Sequence, residues 1–328
     1  MITKFKMLIV LLFAASQVFA GGSQDKNRPT VNADGTEAPV KIRLAVQPDH
    51  VQPFVAQKLG YFAEEGLDVE LSVFSYGPPI IEALTSKSVD IGLVGDQPTY
   101  AAIANSIPIK IIGAYTTSDT YNGLIVRSNS NIKTLADLKG KKVAVAFGSN
   151  VQPLLYLYLE RAGLSDTDVE IINLSLTDST AALLAGRIDA AASSEPYMAQ
   201  AVLSGGAVQI ATSEGFKLFV SVIIGRDDFL KAYPQQTAKL LKVIQKAGLW
   251  SQDHQNEAAK ILAEATDGNV EALKFNISKR LWDTALPQSR IDALTQGAGQ
   301  SFKFGLITQQ VDVAANIDTS YLKAAGIQ

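Results

Sequence analysis

Two tripeptides recur in this chain in the same order and at the same spacing. Val51-Gln52-Pro53 returns as Val151-Gln152-Pro153, and Asp68-Val69-Glu70 returns as Asp168-Val169-Glu170, each 100 residues later. Each copy lies in a series of short β-type runs that alternate with helical patterns, which is typical of parallel sheets with crossover helices. The repeat therefore predicts two similar α/β lobes.

The first copy shows the alternation of strands and helices most clearly. The pattern predicts strands at 41–46, 68–74, 89–94 and 109–115, separated by helices at 53–65, 78–86 and 97–105. With one deletion, Asp90 of the first copy matches Asp189 of the second. Beyond residue 228 the pattern is helical, including 236–250 and 257–264.

Composition limits the possible functions. The chain has 328 residues, 47% hydrophobic and 19% charged, so it can form two domains with substantial cores. Its formal net charge of −3 differs from the basic balance of nucleic-acid binders, so we expect no nucleic-acid partner. There is no cysteine, and only two histidines are present, so we expect no thiolate chemistry and no metal site. Dinucleotide, phosphate-loop and nucleophile-elbow motifs are absent from the sequence, so we expect no cofactor and no catalytic residue.

The first twenty residues have the pattern of an export signal. Lys4 and Lys6 precede an apolar run at 7–15, and small residues follow at 18–20. We expect a signal peptide at 1–20, cleaved after Ala20, with an uncleaved anchor helix as the alternative. Residues 21–39 are polar and rich in Gly, Asn, Pro and Asp, which predicts a disordered linker. The mature protein is then expected to be free in the periplasm.

Loops that follow strands are the expected location of a binding site. In open α/β sheets a ligand lies beyond the carboxyl ends of the strands, where the βα loops converge. The repeat predicts three such loops in each lobe: 47–52, 75–77 and 95–97 in the first, and 147–152, 175–178 and 194–196 in the second.

Several segments carry a resemblance to a known family. They are 59–70 (LGYFAEEGLDVE), 82–84 (EAL), 89–92 (VDIG), 135–145 (LADLKGKKVAV), 148–149 (GS) and 195–197 (EPY). With these segments the chain resembles the substrate-binding proteins of ABC importers for alkanesulfonates, taurine, nitrate and thiamine-pyrimidine precursors. The pyrimidine branch usually has an aromatic-Pro-Asn motif followed by histidine after the first strand. Here that stretch is Gln47-Pro48-Asp49-His50, without the aromatic residue.

The resemblance implies an α/β, two-lobed periplasmic binding protein of the type II kind. Each lobe would be a mostly parallel sheet flanked by helices, with residues 40–122 and 226–328 in lobe 1 and 123–225 in lobe 2. Two extended runs, 121–127 and 219–226, would be the hinge crossings. A protein of this kind closes on its ligand as a monomer and delivers it to a membrane permease.

Gly148, Ser149 and Asn150 form the strongest candidate for an anion site. They precede the helix predicted to start near residue 151, where free backbone N–H groups and a serine hydroxyl suit an oxyanion such as sulfonate. The alternative is that Ser149 or Asn150 only caps that helix.

Asp96 and Glu195 occupy equivalent places after the third strand of each lobe. Each precedes a helix with Pro in its first turn, so each could be a helix cap or an acceptor for a ligand ammonium group. If both carboxylates reach the cleft, they would repel a bare anion. A small zwitterion such as an aminosulfonate would satisfy both ends of the site.

Other loop residues complete the predicted ligand site. Polar side chains in the loops could bond a ligand or only solvate the loop, and tyrosines could form aromatic walls or ordinary packing. Besides the five residues just discussed, the candidates are Gln47, Asp49, His50, Tyr76, Gly77, Gln97, Tyr115, Gln152 and Tyr197.

Three other functions remain open at this stage. The first is binding of a thiamine-pyrimidine precursor or a related nitrogen heterocycle instead of a sulfonate or nitrate-like anion. The second is a periplasmic sensor that uses the same fold without a permease. The third is an enzyme on a related two-lobe fold, which we do not expect because such families depend on cysteine and this chain has none.

Overall fold

The computed structural model of the chain describes residues 40–328. The predicted signal peptide at 1–20 and the predicted linker at 21–39 lie outside the described residues. The first part of the described chain alternates strands and helices. Its elements are β1 (Lys41–Val46), α1 (Val51–Lys58), α2 (Tyr61–Glu64), β2 (Asp68–Val73), α3 (Gly77–Thr85), β3 (Ile91–Val94), α4 (Asp96–Ala104) and β4 (Ile109–Ser118).

A second alternating series follows, and then a helical region. The second series consists of β5 (Asn122–Arg127), β6 (Lys142–Val145), α5 (Val151–Arg161), β7 (Glu170–Asn173), α6 (Leu176–Leu184), β8 (Ala190–Ser194), α7 (Tyr197–Leu203) and β9 (Ala207–Thr212). The last part consists of β10 (Phe219–Arg226), α8 (Asp227–Ala232), α9 (Pro234–Asp253), α10 (Gln255–Thr266), α11 (Val270–Ser278), α12 (Gln288–Lys303) and α13 (Ser320–Ala324). Single 3₁₀ turns lie at Leu135–Leu138, Asp166–Asp168 and Ala314–Asn316.

The ten strands form two five-stranded sheets with the same topology. The strand orders are β2-β1-β3-β10-β4 and β7-β6-β8-β5-β9. In the first sheet β1 pairs in parallel with β2 and β3, and β10 pairs antiparallel with β3 and β4. In the second sheet β6 pairs in parallel with β7 and β8, and β5 pairs antiparallel with β8 and β9. Each sheet thus has one reversed strand among four of common direction, which confirms the two-lobed α/β prediction.

The sequence repeat has a structural counterpart at the start of the third strand of each lobe. The Asp90 carboxylate accepts the backbone N–H of Arg43 at 2.9 Å, and the Asp189 carboxylate accepts that of Lys142 at 2.9 Å. The guanidinium of Arg43 also pairs with Asp90, at 2.6 Å. In each lobe the aspartate therefore ties the third strand to the first strand.

The chain passes between the two sheets twice. It leaves the first sheet after β4 and enters the second at β5, so the first crossing spans 119–121. It leaves the second sheet after β9 and returns at β10, so the other crossing spans 213–218. The sequence-based limits assigned 219–225 to lobe 2, but β10 pairs with β3 and β4 in the first sheet. We propose 119–121 and 213–218 as the hinge segments.

One predicted helix is divided in the structure. The pattern at 53–65 predicted a continuous helix, whereas α1 ends at Lys58 and α2 begins at Tyr61. Gly60 lies between them with φ at 78°, a left-handed conformation that glycine adopts at low cost and that ends a helix.

Each sheet has its own hydrophobic core. Leu124 and Val126 of β5 pack into one core of the second lobe, while Ile125, between them, packs into another core. Since successive strand side chains point to opposite faces, the second sheet is covered on both faces. A larger core surrounds the first sheet and includes Trp282 and the helices of the last third of the chain. Within 40–328, none of the helices is long and apolar enough to cross a bilayer.

Candidate functional site

A small cavity lies between residues of the two lobes. Its volume is about 50 Å³, which is room for a few water-sized groups. The lining residues come mainly from the loops that follow the strands. They are Gln47, Asp49, His50, Ser75, Tyr76, Gly77, Gly95, Pro98, Tyr115, Tyr121, Asn122, Ser149, Asn150, Val151, Leu176, Ser194 and Tyr197.

Six helices begin at the cavity wall. The lining residues that cap or open a helix are His50 for α1, Tyr76 for α3, Gly95 for α4, Asn150 for α5, Leu176 for α6 and Tyr197 for α7. No side chain at the N-cap position caps α1, α3, α4 or α5, whereas Ser175 caps α6 and Glu195 caps α7. Because helix N-termini carry positive partial charge and unsatisfied N–H groups, their convergence favours an anion in the cavity.

His50 is a buried, neutral part of the wall. Its Nδ1 accepts the backbone N–H of Gln47 at 3.0 Å, so in the neutral ring the proton is on Nε2. Nε2 lies 2.8 Å from the hydroxyl oxygen of Tyr115 and donates to it. Burial lowers the pKa of His50 to about 4, because the cation is poorly solvated there. His50 therefore adds no charge to the cavity at neutral pH.

Asp49 is the only carboxylate among the lining residues, and an arginine that is far from it in sequence but in direct contact neutralises its charge. Arg280 Nη2 lies 2.5 Å from Asp49 Oδ2, and the arginine side chain is 1% exposed. Burial, the strongest influence, acts to raise the pKa of Asp49, but the charges and hydrogen bonds of its surroundings, chiefly Arg280, bring it below its usual value. The Arg280 guanidinium also stacks 4.0 Å from the centre of the Tyr121 ring. The pair is neutral overall, so the helix N-termini dominate the electrostatics of the wall.

Nine of the fourteen predicted site residues line this cavity. They come from three of the six predicted loops, from β4 and from the position that directly follows a fourth loop. They are Gln47, Asp49, His50, Tyr76, Gly77, Tyr115, Ser149, Asn150 and Tyr197. The structure thus brings the first loop of each lobe to one place, and their contact with a ligand is taken up as a proposal below.

The other five predicted residues lie outside the cavity wall, and Asp96 differs most from its expected role. The Asp96 carboxylate lies 2.7 Å from Nζ of Lys217 in a buried ion pair, and it accepts the hydroxyl of Tyr100 at 3.2 Å. Next to it, the side-chain carbonyl of Gln97 accepts the hydroxyl of Ser301. Both side chains are directed to the interior of lobe 1 instead of to a ligand.

Glu195 acts as a helix cap in this structure. Its Oε2 accepts the backbone N–H of Ala199 in the first turn of α7 at 2.9 Å. Burial raises the pKa of the Glu195 carboxyl above its usual value. In the same way, Gln152 Oε1 accepts the backbone N–H of Gly148 at 2.7 Å and holds the loop before α5. Without Asp96 and Glu195, the expected ammonium acceptors are missing from the wall.

Asn150 brings the two lobes into contact at the edge of the cavity. Its Oδ1 accepts the backbone N–H of Gln97 at 3.3 Å, and its Nδ2 donates to the hydroxyl of Tyr121 at 3.2 Å. A Cβ atom on Gly95 would lie 2.0 Å from Asn150 Oδ1, so only glycine permits this approach. The lobes are therefore closed around the cavity.

The sequence analysis missed some residues of the site and of its support. Pro98 and Asn122 line the cavity, and Arg280 supports Asp49 from 231 residues away. Asn122 carries a weak signal, because it is a polar residue near the start of a mainly apolar run at 121–127. Arg280 has no such signal, because it lies in the helical region that no loop argument covered. Among residues 40–328, no group of three or more His, Cys, Asp or Glu side chains is arranged to hold a metal ion.

Two sheets of identical order, with a cavity between them that is ringed by helix N-termini, define a two-lobed binding-protein fold. A family model described as NMT1/THI5 like matches residues 47–258. The chain therefore belongs to the NMT1/THI5-like family, which confirms the resemblance found in the sequence.

Sequence relatives match either most of the chain or about half of it. A Bacillus subtilis (strain 168) protein assigned as an aliphatic sulfonates-binding protein is 30% identical over 292 residues, covering 87% of this chain and 88% of that protein. The taurine-binding periplasmic protein of Escherichia coli (strain K12) is 33% identical over 153 residues, covering 46% of this chain and 47% of that protein. A Haemophilus influenzae protein assigned to thiamine biosynthesis is 35% identical over 146 residues, covering 44% and 46%.

Solved structures share the fold. The alkanesulfonate-binding protein SsuA from Xanthomonas axonopodis pv. citri, bound to MOPS, superposes with a TM-score of 0.80 at 24% identity, covering 86% of this chain and 99% of that chain. The desulfurization enzyme DSZB superposes with a TM-score of 0.70 at 17% identity, covering 87% and 98%. At these identities the superpositions establish the fold alone.

Proposed function

We propose that this protein is the solute receptor of an ABC importer and binds a small organic anion of the sulfonate class between its lobes. The observation that carries this proposal is the convergence of six helix N-termini on a cavity whose only carboxylate is paired with Arg280. Such a wall stabilises a single negative charge through backbone dipoles. The names of the sulfonate- and taurine-binding relatives support the same ligand class.

The cavity favours an anionic head group over a bulky ligand. At about 50 Å³ the closed site has room for a group such as sulfonate or nitrate, and a larger tail requires the lobes to open. The contacts of Asn150 with both lobes support closure by rigid rotation about the two hinge segments. The nine predicted residues on the wall are the proposed ligand contacts.

A second candidate ligand is a thiamine-pyrimidine precursor or a related nitrogen heterocycle. Tyr76 and Tyr197 line the cavity from opposite lobes, and tyrosine rings on a cavity wall suit a flat aromatic ligand. The relative assigned to thiamine biosynthesis supports this alternative. We prefer a sulfonate as the ligand, because the described residues of the wall include no unpaired carboxylate that could bind a protonated pyrimidine ring.

Calorimetry with matched charged and uncharged ligands tests the proposal. Ethanesulfonate should bind and ethanesulfonamide, which is nearly the same shape without the charge, should not. Bound ethanesulfonate should raise the free energy of unfolding by about 2.7 kcal/mol at a ligand concentration of 100 times Kd. Binding of an aminopyrimidine with no response to any sulfonate or to nitrate would favour the heterocycle instead.

A variant pair tests the site. Asn150→Asp adds a carboxylate at the start of α5 and should abolish ethanesulfonate binding by repulsion. Asn105→Asp, on the exposed end of α4, makes the same chemical change away from the cavity and should leave the affinity unchanged. Equal affinities for the two variants would contradict the proposed location of the anion.

We propose a binding role without catalysis. Among the described residues, the wall has no cysteine, no metal cluster and no serine paired with a base, and its one histidine is hydrogen-bonded to Tyr115. The desulfurization enzyme with the same fold makes an assay worthwhile. Prolonged incubation with alkanesulfonates and sulfinates should release no sulfite, and release that depends on the protein would contradict this proposal.

We also propose that the protein is exported as a periplasmic monomer that docks on a membrane permease. The pattern of residues 1–20 supports cleavage after Ala20. Intact mass of the exported protein should correspond to a chain beginning at Gly21, and retention of Met1 would contradict cleavage. Recovery of permease subunits on the ligand-loaded protein would favour an importer, while recovery of a sensor kinase alone would favour the sensor alternative.

A further inference from the structure

Asn122 is a buried amide on the cavity wall without a hydrogen-bond partner. It is 0% exposed, begins β5 and lines the cavity. Among residues 40–328, neither its Nδ2 nor its Oδ1 has a partner. Its backbone carbonyl is satisfied, because it accepts the N–H of Ser213 at 2.9 Å.

An unpaired amide in this position needs a physical explanation. Buried polar side chains are nearly always hydrogen-bonded, because a lost bond is not replaced by water. Asn122 pairs in β5 with Ser194 of β8, and both lie on the wall with Ser149 and Asn150 at the start of α5. The amide therefore lies on the same lobe-2 wall as the helix N-terminus that would hold an anion.

We propose that Asn122 is a ligand-binding residue that selects sulfonates carrying a hydrogen-bond donor close to the sulfonate group. This rests on the proposed function. The Nδ2 group donates to a sulfonate oxygen, while Oδ1 accepts from an amino or hydroxyl group of the ligand. A plain alkanesulfonate or nitrate satisfies only the donor and leaves Oδ1 buried and unpaired. A neutral acceptor of this kind takes a hydroxyl as well as an ammonium group, unlike the carboxylates first expected in this role.

Calorimetry with a ligand series tests this selection. The ligands are taurine, 2-hydroxyethanesulfonate and ethanesulfonate, which differ at one terminal group. The wild type should bind the first two about ten-fold more tightly than the third, as one satisfied buried hydrogen bond implies. Asn122→Leu, of similar size without an amide, should reduce the difference to less than about three-fold. Asn105→Leu, on the exposed end of α4, should preserve the wild-type difference.

The outcomes separate this inference from the proposed function. If the wild type binds no sulfonate, both the proposed function and this selection are wrong. If all three sulfonates bind equally to the wild type, or if Asn122→Leu preserves the difference, the selection is overturned and the receptor function stands. Should Asn122→Leu be unfolded by circular dichroism, Asn122→Asp decides, since it keeps the shape and adds a charge. That variant should weaken ethanesulfonate and 2-hydroxyethanesulfonate at least about ten-fold and taurine less, because the ammonium group of taurine pairs with the new carboxylate, and equal losses for all three ligands would overturn the assignment.

Discussion

Replacing Asp96 by Asn removes one charge of a buried ion pair and leaves the other charge in the interior. Lys217 Nζ lies 2.7 Å from Asp96 Oδ2, and the two side chains are 3% and 1% exposed. The remaining surroundings of Lys217 include the Phe219 ring, whose centre is 4.7 Å from Nζ. Breaking such a pair from one side costs about 3–5 kcal/mol, because the uncompensated charge is poorly solvated. We expect Asp96→Asn to lower the free energy of unfolding by about this amount.

Urea unfolding of a set of variants measures this effect. Asp96→Asn combined with Lys217→Met should recover most of the stability, because apolar replacement of a whole buried pair is often neutral. The exposed pair of Lys58 and Glu264, 2.8 Å apart with side chains 58% and 65% exposed, provides the control. Glu264→Gln should cost less than about 1 kcal/mol.

Ligand affinity distinguishes the structural role of Asp96 from the ligand contact first expected. Asp96 does not line the cavity, so Asp96→Asn should change the affinity for a sulfonate less than about three-fold at temperatures where the variant is folded. A loss of stability below about 1 kcal/mol together with a large loss of affinity would refute the reasoning. It would show that the carboxylate faces the ligand.

Further predictions concern pH, closure and the helix cap. Since folding holds His50 neutral with a pKa of about 4, against about 6.5 when unfolded, the free energy of unfolding should fall as pH drops from about 6.5 towards 4. Urea unfolding measured across this pH range should show that the free energy of unfolding depends less on pH in His50→Asn than in the wild type. Tyr156 of lobe 2 stacks on Phe304 of lobe 1 at 5.5 Å, so Tyr156→Ala should weaken ligand binding about two- to ten-fold, whereas Tyr156→Phe should not. Glu195→Gln keeps a side-chain oxygen that accepts the backbone N–H of Ala199, so calorimetry should find the same change in affinity for taurine and for ethanesulfonate.

The alternation of elements could be predicted because each strand or helix depends on residues close together in the chain. The strand at 41–46 was found at its predicted position, as β1, and the extended run at 219–226 is the strand β10, although it lies within the first sheet and not between the lobes. The break between α1 and α2 was not predicted, because a glycine within a helical pattern does not by itself indicate the left-handed conformation that Gly60 adopts. The positions of the loops followed from the repeat. Loops after parallel strands meet at one edge of a sheet, so most predicted site residues line the cavity.

Tertiary structure decided which side chains in those loops face the cavity. Asp96 and Glu195 follow equivalent strands, yet Asp96 pairs with Lys217 from the second crossing, and Glu195 turns back to cap its own helix. Arg280 reaches Asp49 from 231 residues away, and Asn122 is left unpaired on the wall. A local pattern indicates which face of an element is buried. The partner that a buried polar group meets there depends on segments brought together only when the two lobes fold and close.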